Sequence, residues 1–338
     1  MQYVPVVDIE QRPLMPTTPA RAERWIKCGK VTPFFRKGIF CVRLNVEHSN
    51  RQTQPIAVGI DPGSKREGYT VKSKAHTYLN QQFHAVDWVK ESEETSTNAR
   101  RARRNRKTPC RQPRQNRKRG GIPPSTKARW QFKIRVVKVF DAIFPISSIG
   151  IEDIKASTKK GCHKWNNFFS PLEVGKKWCY SELERIASVT KFDGYTDTYL
   201  TRQELGLKKS KAKLSNSFDA HCVDSWVLAY LLVGGTSPEN KIVMECKSIR
   251  IHRRQLHVFN PGKNGYRRPY GGSMFQGLKR GGIVKHAKYG KCYVGGEDIQ
   301  KSRISLHNLD TGKRLCQNAK PRDCKFLAYN SWRTVKPS

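Results

Sequence analysis

Between Glu94 and Asp141 the chain carries no acidic residue and sixteen lysines and arginines. So dense a run of like charge suits ordered contact with a polyanion, and amphipathic sequence (Trp130, Ile134, Val137, Phe140) follows the arginines directly. A second surplus runs from Arg250 to Ser338, with twenty basic and four acidic residues. The two stretches account for 32 of the formal net charge of +38 in 338 residues, so the remainder is close to neutral. Seven Trp, fourteen Phe and twelve Tyr supply enough core material to exclude disorder throughout. The expectation is a folded core carrying two nucleic-acid-binding parts, with a length that suits two or three domains.

Other classes fall away. The opening residues lack a basic segment followed by an apolar one, so no signal peptide is expected. The longest apolar run, Trp226 to Val233, is far short of the roughly 18 residues of a membrane span. Ten cysteines are scattered with no C-x-x-C pair, which favours reduced thiols over a disulfide framework or zinc module. Cys162-His163 stands without the further ligands a structural zinc needs.

The first basic part reads as a helix starting near Ser96, capped by Ser or Thr, with Glu93 and Glu94 favouring its positive end. Arg100, Arg103, Arg104 and Lys107 then share one face, with Arg101 and Arg106 projecting elsewhere. Pro109 and Pro113 end the helix, and Arg111, Arg114, Arg117, Lys118 and Arg119 continue as extended basic chain. Arginine on all sides suits phosphates approaching from several directions. In the second part, short alternating stretches over 283–316 are punctuated by glycine pairs and Asp310-Thr-Gly312. They predict a small antiparallel, barrel-like β domain. Tyr266, Tyr270, Phe275 and Tyr289 are interleaved with Arg267, Arg268, Arg280 and Lys288, a mixture suited to stacking and phosphate contact, though any one aromatic more readily serves as core.

The near-neutral portion holds the candidate chemistry. Pro55-Ile-Ala-Val-Gly-Ile60 reads as a buried strand ending in Asp61 and a Pro62-Gly63 turn. A return strand starts at Gly68, a third covers His76 to Val86, and Ile149-Gly-Ile151 is a further buried strand ending in Glu152-Asp153. A helix is expected from Phe218 to Leu232, opened by Ser217, with Val223, Trp226, Val227 and Tyr230 as its packing stripe. On it His221 and Asp224, three apart, share a face. Asp61, Glu152, His221 and Asp224 could hold two Mg2+ ions, with Mn2+ as substitute, for hydrolysis of a phosphodiester. Asp153 falls on the strand face opposite Glu152, and Asp219 suits a helix-start role. Taken singly, D-P-G after a strand also fits sugar-kinase and actin-type ATPases.

At these residues the chain resembles a known family. Gly59-Ile-Asp-Pro-Gly-Ser64, Ile149-Gly-Ile-Glu-Asp153 and Ser217-Phe-Asp-Ala-His-Cys-Val-Asp224 look like the three motifs of RuvC nucleases. The arginine-rich segment resembles the bridge helix of RNA-guided nucleases, and Arg12-Pro-Leu-Met-Pro16 the PLMP feature of the transposon-encoded IscB/IsrB proteins. The stretch from Lys155 to Asn216 lacks the Asp-His pair of an HNH nuclease, so the resemblance is to the HNH-lacking IsrB branch. It implies an RNase H-like (RuvC) mixed α/β core split by a bridge helix, an omega guide RNA, double-stranded target DNA and nicking of the displaced strand. It also implies a monomer in a ribonucleoprotein at the prokaryotic nucleoid.

The corresponding division is a PLMP module at 1–50, RuvC parts at 51–94 and 122–160, and the bridge helix with its basic extension at 95–121. A linker helix and third RuvC part follow at 161–240. The resemblance implies that the region 241–338 contacts RNA and a short motif beside the target, with some of Lys279, Arg280, Lys285 and Lys288 touching that motif. Two other readings stay open: a guide-independent nuclease of the junction-resolvase type, and a non-catalytic RNA-binding protein.

Overall fold

The computed structural model describes residues 3–47, 52–105, 122–155, 171–212, 215–236, 238–248, 274–298, 300–329 and 332–334. Two compact units result, residues 1–246 with 334–338, and residues 247–333. The first unit opens with a four-stranded sheet in the order β2-β1-β4-β3, formed by β1 (Val4–Val7), β2 (Pro13–Thr17), β3 (Val31–Arg36) and β4 (Ile39–Leu44). Helix α1 (Pro19–Lys27) has Pro19 in its first turn and Thr18 Oγ1 accepting from the Arg21 amide. The prolines of β2 and β3 had hidden those strands from a reading of the pattern. Both are edge strands, where a missing amide costs no ladder bond.

The larger sheet contains β5 (Ile56–Asp61), β6 (Arg66–Ser73), β7 (Thr77–His84), β8 (Ile146–Glu152), β9 (Ser188–Phe192) and β10 (Val243–Ser248), in the order β10-β7-β6-β5-β8-β9. β6 is antiparallel to both β5 and β7, while β8 is parallel to β5, β9 to β8 and β10 to β7. Among these six strands only β6 runs against the others, and the parallel β5 and β8 end side by side.

One face of this sheet packs on α3 (Pro124–Asp141), whose Phe140 ring lies edge-on to Tyr69 with centroids 6.1 Å apart. On that face Lys133 donates to Glu67 at 2.8 Å and the Tyr69 hydroxyl to the same carboxylate at 2.7 Å, all three groups buried. Helix α4 (Pro171–Glu184) packs beside α3, and α5 (Leu200–Glu204), α6 (Phe218–His221) and α7 (Val223–Val233) follow it. α7 crosses β5, β6 and β8 on the opposite face from α3.

Two expectations need correction here. The basic helix, α2 (Trp88–Asn105), begins at Trp88 rather than near Ser96. Thr95 and Ser96 do not cap it; their hydroxyls donate back to the carbonyls of Glu91 and Ser92 at 2.8 Å, which lets them sit inside the helix. The single helix expected over 218–232 is two, because Cys222 (φ −109°, ψ −12°) ends α6 and precedes α7. Cys222 is fully buried with its thiol donating to the Gln81 carbonyl at 3.7 Å, so packing on the sheet sets the break.

The second unit has a small hairpin, β11 (Met274–Phe275) with β12 (Leu278–Lys279). It also has an antiparallel sheet of β13 (Gly282–His286), β14 (Gly290–Asp298), β15 (Arg303–Asn308), β16 (Arg314–Ala319) and β17 (Cys324–Tyr329), in the order β16-β15-β14-β13-β17. Among the described residues this sheet keeps two free edges instead of closing as a barrel. Phe275 belongs to its core with Val284, Val294 and Ile304, and Tyr289 packs against them. No described helix is long and apolar enough to cross a membrane.

Candidate active site

The site is built by glycine. A Cβ at Gly59 would stand 1.8 Å from the Ser225 carbonyl oxygen, one at Gly68 1.8 Å from that of His221, and one at Gly150 2.8 Å from that of Leu228. The backbone of α6 and α7 therefore rests directly on β5, β6 and β8 at positions where no side chain fits. Side chains alternate along a strand, so Asp61 and Glu152, each two residues past one of these glycines, face the same side as α7. Ile60 pairs with Ile151 across the two parallel strands, which sets the two carboxylates next to each other. Asp224, in the first turn of α7, is only 3% exposed and completes the group.

Three carboxylates held together this way repel one another. Burial pushes the Asp61 carboxyl up to about 8, and the charges of Asp224 and Glu152 add to it while Lys209 opposes it. Glu152 is raised by burial and by Asp224, against the pull of Lys209 and a hydrogen bond from Asp61. Asp224 is held by two cations, Arg202 and Lys209. Burial works to lower the Lys209 ammonium, yet Asp61 and Asp224 outweigh it and raise it. The two cations differ in setting, since the Arg202 side chain is 10% exposed and that of Lys209 42%.

His221 lies half-buried at the end of α6, with its carbonyl against Gly68. Because α6 and α7 are separate, a shared helix face does not by itself join it to Asp224. Asp153 points elsewhere: Lys176 Nζ at 2.9 Å and the Tyr180 hydroxyl at 2.8 Å tie it to α4. Those bonds outweigh its burial and hold it below the usual carboxylate range. Asp219 sits in the first turn of α6.

Further along the same sheet end, Glu245 accepts from Arg66 at 3.2 Å and Asn216 at 3.0 Å, and lies 2.6 Å from His84 Nε2. This network fastens the residues that lead into α6. Reading the sequence missed it, and missed Arg202, Lys209 and Gly194 too. A Cβ at Gly194 would stand 2.5 Å from Glu152 Oε1. Lysine-rich sequence at 208–213 was the one local signal for Lys209, and nothing in it points to Asp224.

Among the described residues, no group of three or more His, Cys, Asp or Glu side chains stands in a metal-holding arrangement. The donor set itself fits a hard divalent cation, being carboxylate oxygens from three elements with charge the protein only partly neutralises. Lys209 takes up part of that charge.

Of the expected nucleic-acid contacts, Arg100 and Arg101 are exposed on α2, and Arg103 and Arg104 lie on its last turns. Lys279, Lys285 and Lys288 are exposed in the second unit, and Arg280 is half-buried there. Arg106, Lys107, Arg111, Arg114, Arg117, Lys118, Arg119, Arg267 and Arg268 fall outside the described residues, as do Cys162, His163, Tyr266 and Tyr270.

Residues 4–164 match a family described as RRXRR protein. Arg100-Arg101-Ala102-Arg103-Arg104, on α2, spells that pattern. No curated protein matches the chain. Among solved structures the chain is similar to Thermus thermophilus RuvC bound to a Holliday junction substrate, at 14% identity and a TM-score of 0.29, covering 54% of this chain and 97% of that one. A second structure of Thermus thermophilus RuvC matches at 15% identity and a TM-score of 0.21, over 54% of this chain and 99% of the other.

Proposed function

We propose that this chain is a metal-dependent DNA endonuclease with an RNase H-like core, guided by an RNA and cutting one strand. The observation that carries the reading is the convergence of Asp61, Glu152 and Asp224, far apart in sequence, at one end of the larger sheet. An antiparallel β7-β6-β5 continued by parallel β8 and β9 agrees with the mixed sheet that the resemblance implies. Asp61, Glu152 and Asp224 would hold Mg2+ or Mn2+, with His221 as a further ligand or proton acceptor. Two such ions, when bound, supply activation of a water and stabilisation of the leaving oxygen of a phosphodiester. The chain's own residues prepare for this. Arg202, buried and ion-paired, orients Asp224, and the more exposed Lys209 is the cation that gives way. Gly194 leaves Glu152 room beside the following turn.

Guidance by RNA is supported by the charge surplus on and after α2 and by the RRXRR match, a family found in IscB/IsrB-like proteins. In this reading, residues 95–121 bridge the guide–target heteroduplex, and 241–338 contact an omega RNA and a short DNA motif through Lys279, Arg280, Lys285 and Lys288. A chain with one nuclease centre nicks a single strand, here the displaced one. The test is native purification, sequencing of the co-purifying RNA, and incubation with Mg2+ and a supercoiled plasmid carrying its complement. A defined RNA and a nick that Asp61→Ala abolishes are expected. Cutting of branched DNA without RNA refutes guidance, and bound RNA with no cutting in any divalent metal refutes catalysis.

A further inference from the structure

We propose that Tyr195 and Tyr199 form a stacking platform for an unpaired base of the DNA strand being cut. The proposal rests on the nuclease reading above and specifies its substrate as single-stranded next to the scissile bond. The two rings are nearly parallel, at 8°, with centroids 5.4 Å apart, and Tyr195 is 67% exposed and Tyr199 38%. An aromatic pair left this open gains little from folding, while it presents a flat π surface to any ligand with one.

The platform is rigid. Both tyrosines lie on a single π-helical turn, Gly194–Tyr199, which begins directly after β9. Asp193 holds the start of that turn, accepting from the amides of Tyr195 at 2.9 Å and Thr196 at 3.3 Å, and Lys155 Nζ binds the same carboxylate at 2.7 Å. A π-helical turn is a costly conformation that recurs at functional sites.

It is also attached to the candidate active site at both ends. Gly194, the residue before Tyr195, lies against Glu152. The Arg202 guanidinium lies over the Tyr199 ring at 5.4 Å and pairs with Asp224. A phosphodiester at the carboxylates thus has its flanking base beside the rings. A paired, stacked base in a duplex has no free face to offer them, whereas an unpaired one does. Lys208 and Lys209, exposed on the segment that follows, suit the phosphates of such a strand.

The test uses the full chain in an Asp61→Asn background, which binds without cutting. Fluorescence anisotropy with (dT)20, (rU)20 and a 20-base-pair duplex is followed over a salt series. Tyr195→Ala should weaken (dT)20 binding roughly 5- to 100-fold, the cost of one lost base stack. Its slope against log salt should not change, since no phosphate contact is lost. Tyr195→Trp should restore binding, Tyr195→Leu should not, and the duplex should be unaffected. 5-Iodouracil in (dT)20 should cross-link to the peptide containing Tyr195. Affinity within twofold of the parent with no such cross-link overturns the proposal, and so does an equal loss on duplex with a reduced slope. A larger loss with (rU)20 than with (dT)20 overturns the assignment to the DNA strand. Plasmid nicking by the Asp61 chain is scored separately, so failure of the nuclease reading leaves the cross-link result standing.

Discussion

Replacing Asp61 by Asn should stabilise the metal-free protein, by an amount that depends on pH in a set way. The folded chain binds a proton at Asp61 up to about 8, against an ordinary value of 3.8. Below the ordinary value both folded and unfolded chains hold that proton, and Asp61 costs nothing. As pH rises the unfolded chain releases it while the folded one retains it, so stability falls continuously until the pH passes the folded value. At pH 7 the gap spans about three pH units at about 1.36 kcal/mol each, an upper limit of about 4 kcal/mol. Sharing of the proton with Glu152 reduces it, and about 2–4 kcal/mol is the working figure. Asn is neutral, nearly isosteric and still able to donate to Glu152, so Asp61→Asn should remove the penalty without a cavity. Thermal unfolding should show the variant about 5–10 °C more stable than the wild type at pH 7, with the difference vanishing near pH 4. Mg2+ should narrow the gap by stabilising only the wild type. Parallel pH profiles for the two proteins would refute the clustering of the three carboxylates.

Further perturbations separate the neighbouring groups. Lys209→Met should cost no more than about 1 kcal/mol, because that side chain is 42% exposed and Arg202 still pairs with Asp224, yet increase the stabilisation gained on adding Mn2+, read as a melting shift. Arg202→Met should cost about 3 kcal/mol, more than Lys209→Met, since it removes the buried partner of Asp224 and leaves only the half-exposed Lys209. Gly59→Ala should cost about 3 kcal/mol or more in urea unfolding, because its Cβ would overlap the Ser225 carbonyl. Lys133→Met should cost about 3–5 kcal/mol by leaving Glu67 buried and unpaired. The double variant with Glu67→Gln should recover much of that loss.

Asp61 and Glu152 were legible because each ends a short apolar run, a pattern that local sequence states completely. Asp224 was legible through the helix that follows it, although the break at Cys222 was not. That break answers to the Gln81 carbonyl on a distant strand, and no local propensity encodes such a partner. Arg202 and Lys209 were invisible for the same reason: they sit in ordinary polar sequence and acquire meaning only when the chain folds back onto α7. The start of α2 was misplaced because hydroxyl residues that favour caps can also bond back within a helix. In the second unit the alternation was clear, but sheet closure depends on which strands end at the edges, a property of pairing rather than of pattern.

The direct seating of α7 on the sheet has a consequence for how this site can change over time. Most active-site spacings depend on layers of side chains, which can be repacked by many substitutions. Here the distance from Asp224 to Asp61 and Glu152 is fixed by carbonyl oxygens resting on glycine backbone, with no side chain between them. Apolar residues on the α3 face can therefore drift without moving the carboxylates. Any side chain at Gly59 or Gly68 would lift the helix and separate them. The tolerance of the core and the intolerance of its glycines are two results of one contact.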